Sequence, residues 1–130
     1  MGRAVETAKI IAEKLSISNI TTDSFLMERN LGVLQGRIVA TSKLKFPHFW
    51  NATGSFIQDS DIPGAESIED FLHRIGKGID NLSELSKTKN ILVVTHDGVL
   101  HAIVSHLKGI HFSQVGKFYQ FKNCDPVMLN

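Results

Sequence analysis

One stretch limits the fold more than any other: Asn90-Ile-Leu-Val-Val-Thr95, followed at once by His96-Asp97-Gly98. A short, continuous, β-branched apolar run is what a parallel strand covered on both faces requires. Val99, Leu100, Ile103, Val104 and Leu107 then recur at helical spacing, and Gly109 supplies a left-handed stop. The spacing predicts a strand, a tight turn and a helix, the repeating unit of α/β layering. In such sheets the crevice beyond the strand ends is where ligands bind, and His96 sits at that point. The free N–H groups of the helix start, beginning near Gly98, favour an anion there. A strand-end histidine that merely caps with a hydrogen bond is the alternative.

Upstream, Ala4, Ala8, Ile11 and Leu15 recur at spacings of four and three and predict an amphipathic helix over Arg3 to Leu15. Ile20–Asp23 reads as a short strand leading to Phe25, Leu26 and Met27. Arg37 to Pro63 has little periodicity and reads as a long loop with one short helix. Its Phe46, Phe49 and Trp50 suit either a substrate lid or packing onto a core. Ser67 and Asp70 form a capping box that starts a helix carrying Ile68, Phe71, Leu72, Ile75, Ile79, Leu82 and Leu85 on one face. Gly76 and Gly78 each weaken that helix by about 1 kcal/mol relative to alanine, so its second half is expected to fray or kink. In the tail, Pro126 argues for an edge position or a strand start.

At 130 residues the chain has the size of one domain, and residues 1–130 are expected to form a single one. A hydrophobic fraction of 42% with 21% charged residues excludes disordered, collagenous and coiled-coil classes. Fourteen Lys and Arg against thirteen Asp and Glu leave a formal charge of +1, so neither nucleic acid nor a membrane is an expected partner. Any anion site must be local. The lone Cys124 offers no internal disulfide and no thiolate metal site, which suits a reducing compartment, and the expected location is cytoplasmic.

Two further residues, and the spacing of the histidines, carry chemical weight. Arg3 opposes the dipole of its own helix, a conflict of about 0.3–1 kcal/mol that a bound anion would remove; an exposed arginine on a fraying first turn is the alternative. Glu28, between an apolar segment and the glycines Gly32 and Gly36, is a carboxylate that burial could turn into a proton donor. His96, His101, His106 and His111 recur every five residues, about 140° past one helical turn, so neighbours do not share a face; no metal is expected.

Taken in order, Arg3-Ala-Val-Glu-Thr-Ala8, Glu28-x-x-x-Gly32-x-x-x-Gly36, Gly64-Ala-Glu-Ser67 and Val93-Val-Thr-His96-Asp-Gly98 resemble the histidine phosphatase superfamily, in its phosphoglycerate-mutase-like branch. The resemblance implies an α/β three-layer sandwich with a mostly parallel sheet, and phosphoryl transfer on small phosphomonoesters as a mutase or a phosphatase. It implies that Arg3 binds the transferring phosphoryl group, that His96 hydrogen-bonds its oxygens and that Glu28 is the general acid/base. Arg74 and the Glu66-Ser67 pair fall in a more structural region near the pocket. Phosphate or a phosphorylated small molecule is the implied ligand, with no cofactor.

The sequence contains no Arg-His-Gly, the motif in which the family's nucleophilic histidine sits. The expectation is therefore a truncated domain lacking the first strand-helix-strand unit, inactive alone. A non-catalytic anion-binding remnant or an oligomerising pseudoenzyme is the alternative. Without its neighbour, the edge of Ile91–Thr95 would recruit another chain or the tail, so a homo-oligomer is expected.

Overall fold

The structure, a computed structural model, describes residues 2–54, 56–57 and 61–129. Five α-helices are defined among them: α1 (Gly2–Lys14), α2 (Val39–Lys45), α3 (Ile68–Ser86), α4 (Asp97–Lys108) and α5 (Phe112–Phe118). The chain separates into two compact units, one of Met1–Glu28 with Leu72–Asn130 and one of Arg29–Phe71.

In the first unit, α1 forms where the spacing predicts it, but its inward residue is Ala12, while Leu15 lies beyond the helix and is exposed. Ile75 and Ile79 of α3, Val99, Ala102, Ile103 and Val104 of α4, and Phe112 and Val115 of α5 form the interior. α4 ends at Gly109, whose φ of 64° is the left-handed cap the sequence predicts. Helix α5, seven residues with Phe112 and Val115 inward, was not anticipated, because two buried positions make too short a period to read.

Helix α3 runs unbroken through Gly76 and Gly78, contrary to the expected kink. Both glycines are buried, and each admits a neighbour that a methyl group would exclude. The ring of His106 lies against Gly76, and that of Phe25 against Gly78. His106 also reaches Asp80, one turn further along α3, at 2.6 Å.

The expected strands Ile20–Asp23 and Asn90–Thr95 are not strands here, and among the described residues no sheet is formed. A strand exists only through a hydrogen-bonded partner, and β propensity alone cannot supply one. Ile91 and Leu92 are accordingly 39% and 53% exposed, against the expectation of burial on both faces. The three-layer parallel architecture of the family is thus not displayed by these residues. Backbone pairing among the described residues is confined to two isolated antiparallel bridges, Leu31 with Ala65 and Trp50 with Phe56, both in the second unit.

That unit has its own core of Leu34, Phe49 and Ile62, against which Leu31, Phe46, Trp50, Phe56 and Ala65 pack. The aromatic residues of the long loop are therefore packed into a core. Of the loop itself, Ser55 and residues 58–60 lie outside the described residues; the rest includes α2 and a 3-10 turn over Pro47–Phe49. The two glycine-bearing motifs meet here. Val33 N–H donates to Pro63 O at 3.1 Å and Glu66 N–H to Asn30 O at 2.9 Å. The buried Arg29 adds an Nε–H bond to Glu66 O at 2.9 Å. Ser67 starts α3 as a cap: its Oγ accepts from Asp70 N–H at 3.0 Å and donates to the Asp70 carboxylate at 2.7 Å. In the expected box the acidic side chain would bond a backbone N–H, and here it bonds the serine hydroxyl instead.

Candidate functional site

The candidate site lies within the first unit, at the start of α4. His96 is the residue before the helix, in an extended conformation, and is 8% exposed. Its side chain makes no hydrogen bond that caps α4. The backbone carbonyl of His96 accepts from Leu100 N–H at 2.9 Å. The N–H groups of the first turn, Gly98 among them, have no partner inside the helix and carry its partial positive charge.

Glu28 reaches this same turn. A Cβ built on Gly98 would stand 2.6 Å from Glu28 Oε1, so the carboxylate lies directly over the glycine, and any larger residue would push it away. A carboxylate over a helix N-terminus is favoured by about 0.3–1 kcal/mol. Glycine at position 98 is thus explained by a close approach, not by backbone strain.

Burial holds the His96 imidazole below its ordinary pKa of 6.5; the Glu28 carboxylate pulls in the opposite direction, and the Arg3 guanidinium adds to the lowering. Glu28 and Arg3, both far from His96 in sequence, therefore act on its imidazole in opposite directions. Arg3 is exposed on the first turn of α1, where its carbonyl accepts from Thr7 Oγ1 at 2.9 Å. The lowering favours the neutral imidazole, which has one ring nitrogen to donate and one to accept.

The shift has a consequence for stability. A folded-state pKa below the unfolded value means that the unfolded chain binds more protons, so the His96 contribution is fully present above about pH 6.5 and is lost as the pH falls through the folded pKa. Urea unfolding from pH 7.5 to 5 should show this fall, and His96→Gln should remove that component. An unchanged slope in the variant would contradict the burial argument.

The segment carrying Glu28 is tied down on three sides. Arg74 of α3 donates from Nη1 to Phe25 O at 2.6 Å and from Nη2 to Glu28 O at 3.3 Å. Thr95 Oγ1 donates to Leu26 O at 2.8 Å. The Phe25 ring occupies the space over Gly78, and Asp23 caps the 3-10 turn Ser24–Leu26 through Phe25 N–H at 3.2 Å. Thr95 escaped sequence reasoning. Its only signal was a hydroxyl closing an otherwise apolar run.

His101, one turn into α4, is engaged by its own neighbours. Its Nδ1 lies 2.9 Å from Asp97 O, and its ring stands edge-on to Phe121 with centroids 5.0 Å apart.

The structure thus brings the Glu28 carboxylate to the start of α4 next to the buried His96, while Arg3 is exposed on the first turn of α1. The family model of the histidine phosphatase superfamily (branch 1) matches residues 1–130, and the chain belongs to that family. It is similar to phosphoglycerate mutase-like protein 4 of Arabidopsis thaliana, 36% identical over 102 residues, covering 78% of this chain and 44% of the relative. Metal-independent phosphoserine phosphatase of the same plant is 33% identical over 116 residues, covering 88% of this chain and 48% of that protein. A probable phosphoglycerate mutase GpmB of Salmonella paratyphi B is 31% identical over 110 residues, 85% of this chain and 51% of its own length. The chain spans about half the length of the curated relatives it matches. No solved structure matches it. Among the described residues, no helix is long and apolar enough to cross a membrane.

Proposed function

We propose that this chain carries the phosphoryl-binding and proton-handling side of a phosphoryl-transfer site for small phosphomonoesters. Arg3, His96 and the Gly98 N–H hold the phosphoryl oxygens, and Glu28 handles the proton. The reading is carried by the Glu28 carboxylate lying over Gly98 beside the buried His96, in a chain that belongs to the histidine phosphatase superfamily. As the ester P–O bond breaks, charge spreads over three phosphoryl oxygens and builds on the departing oxygen. The cation of Arg3, the His96 N–H and the helix-start amides face the first charge. Glu28 is the group that passes a proton to the second and later takes one from the acceptor.

A nucleophile is also required, and the 130 residues contain no Arg-His-Gly. We therefore propose that these residues alone bind anions without turning over esters. They associate with a second copy along Ile91–Thr95, whose apolar side chains are partly exposed and which forms no strand among the described residues.

Calorimetric titration with sulfate, whose charge is constant between pH 5 and 8, tests the pocket. Protonating His96 adds a cation, so affinity should rise on the order of tenfold once the pH falls below the His96 pKa, as a charge-assisted hydrogen bond of about 1.5–3 kcal/mol implies. His96→Gln should erase that rise. Absence of sulfate and phosphate binding would sink the pocket. Turnover of p-nitrophenyl phosphate that disappears in His96→Ala would sink the inactivity. A monomer in sedimentation at tens of micromolar, unaltered by Leu92→Lys, would sink the association.

A further inference from the structure

We propose that Arg74 is a positioning residue for Glu28: its guanidinium spans the carbonyl oxygens of Phe25 and Glu28 and so fixes the backbone from which the Glu28 carboxylate reaches over Gly98. The inference rests on the proposed phosphoryl-transfer reading for its relevance to chemistry, but its geometry stands alone. Arg74 is half-buried on α3, between the buried Ile75 and the partly buried Leu72. From there its two terminal nitrogens reach 49 and 46 residues back along the chain. A planar fork can hold two acceptors at once, which the point charge of lysine cannot do with the same geometry. Both acceptors are main-chain carbonyls of a segment without regular helix beyond one 3-10 turn, and the Arg74 side chain supplies donors to them.

The clamp has two further members that act on the same four residues. Thr95 Oγ1 takes Leu26 O, and Gly78 leaves the recess that the Phe25 ring fills. Thr95 immediately precedes His96, so the tether that holds the Glu28 segment also fixes its distance from the imidazole. The carboxylate and the imidazole are thereby set by one rigid arrangement anchored on α3. The charge of Arg74 is not among the forces acting on His96, whereas that of Glu28 is. A direct charge effect of Arg74 on His96 is therefore not expected, and the route proposed runs through the placement of Glu28.

That separation gives the test. The His96 ring is followed by NMR titration in the full 130-residue chain, as wild type, Glu28→Gln, Arg74→Gln and the double variant. Glu28→Gln should lower the His96 midpoint, because an attractive carboxylate is lost. Arg74→Gln should lower it in the same direction, and in the Glu28→Gln background it should add nothing. Arg74→Lys should restore only part of the wild-type midpoint. Should Arg74→Gln fail to fold, Thr95→Val, which removes one hydroxyl and no charge, should give a smaller shift of the same sign. A wild-type midpoint in Arg74→Gln, or a shift that persists when Glu28 is already gone, would overturn the clamp. Phosphate titration of the wild type is the separate arm: its failure would overturn the phosphoryl reading, while the His96 midpoints still decide whether Arg74 places Glu28.

Discussion

Gly32→Ala should unfold the second unit, at a cost on the order of 4 kcal/mol or more, the range reached only by backbone or core disruption. Gly32 has a φ of 51°, and a Cβ there would meet Ala65 N at 2.5 Å and Gly64 C at 2.6 Å, with Pro63 O closer still. None of these is the end of a flexible side chain. To make room, the Pro63–Ala65 strip must move, which breaks the Val33–Pro63 bond and the Leu31–Ala65 bridge. The left-handed conformation adds about 1–2 kcal/mol for a residue with a Cβ. Trp50, the chain's single tryptophan, packs in this unit's core, so its fluorescence during urea unfolding reports the loss. Gly36→Ala is the control: its φ is 71° but nothing lies within 4 Å, so only the conformational cost should appear. Equal midpoints for the two variants would refute the close-approach argument.

The second large effect is expected at Ile75. It is 0% exposed, and Ile75→Ala should cost about 2–5 kcal/mol by removing buried methylenes and leaving a cavity. Leu85, three turns further along the same apolar stripe, is 50% exposed, and Leu85→Ala should change stability by less than about 1 kcal/mol. Circular dichroism under urea separates them. With typical domain stabilities of about 5–15 kcal/mol, the first substitution removes a large part of the reserve and the second little.

This pair shows where sequence reading runs out. Periodicity names the face of α3 but does not grade it, because burial depends on which elements arrive opposite. The same limit explains Ile91–Thr95. Its composition states a preference for a covered strand, whereas strand formation needs a second backbone at hydrogen-bonding distance. Gly76 and Gly78 make the point from the other side: helix propensity counts them as weaknesses, and in the fold they admit the rings of His106 and Phe25.

The candidate site divides along the same line. Arg3, Glu28, His96 and Gly98 could be singled out from residue type, local pattern and family resemblance, since each sits in a short motif readable without coordinates. The forces acting on His96 could not be read, because they depend on the carboxylate crossing to Gly98 and on the burial that lowers the His96 pKa. Thr95 offered only a hydroxyl at the end of an apolar run, and the bonds that give Arg74 and Thr95 meaning span 49, 46 and 69 residues.

By itself the sequence determined the local elements whose causes are local: the helices α1, α3 and α4, the serine cap of α3, the glycine stop of α4 and the motifs that mark the family. Tertiary structure alone decided which apolar residues are buried, which glycines are indispensable and which polar groups meet. Those outcomes depend on distances between segments tens of residues apart, and short-range propensity has no access to them.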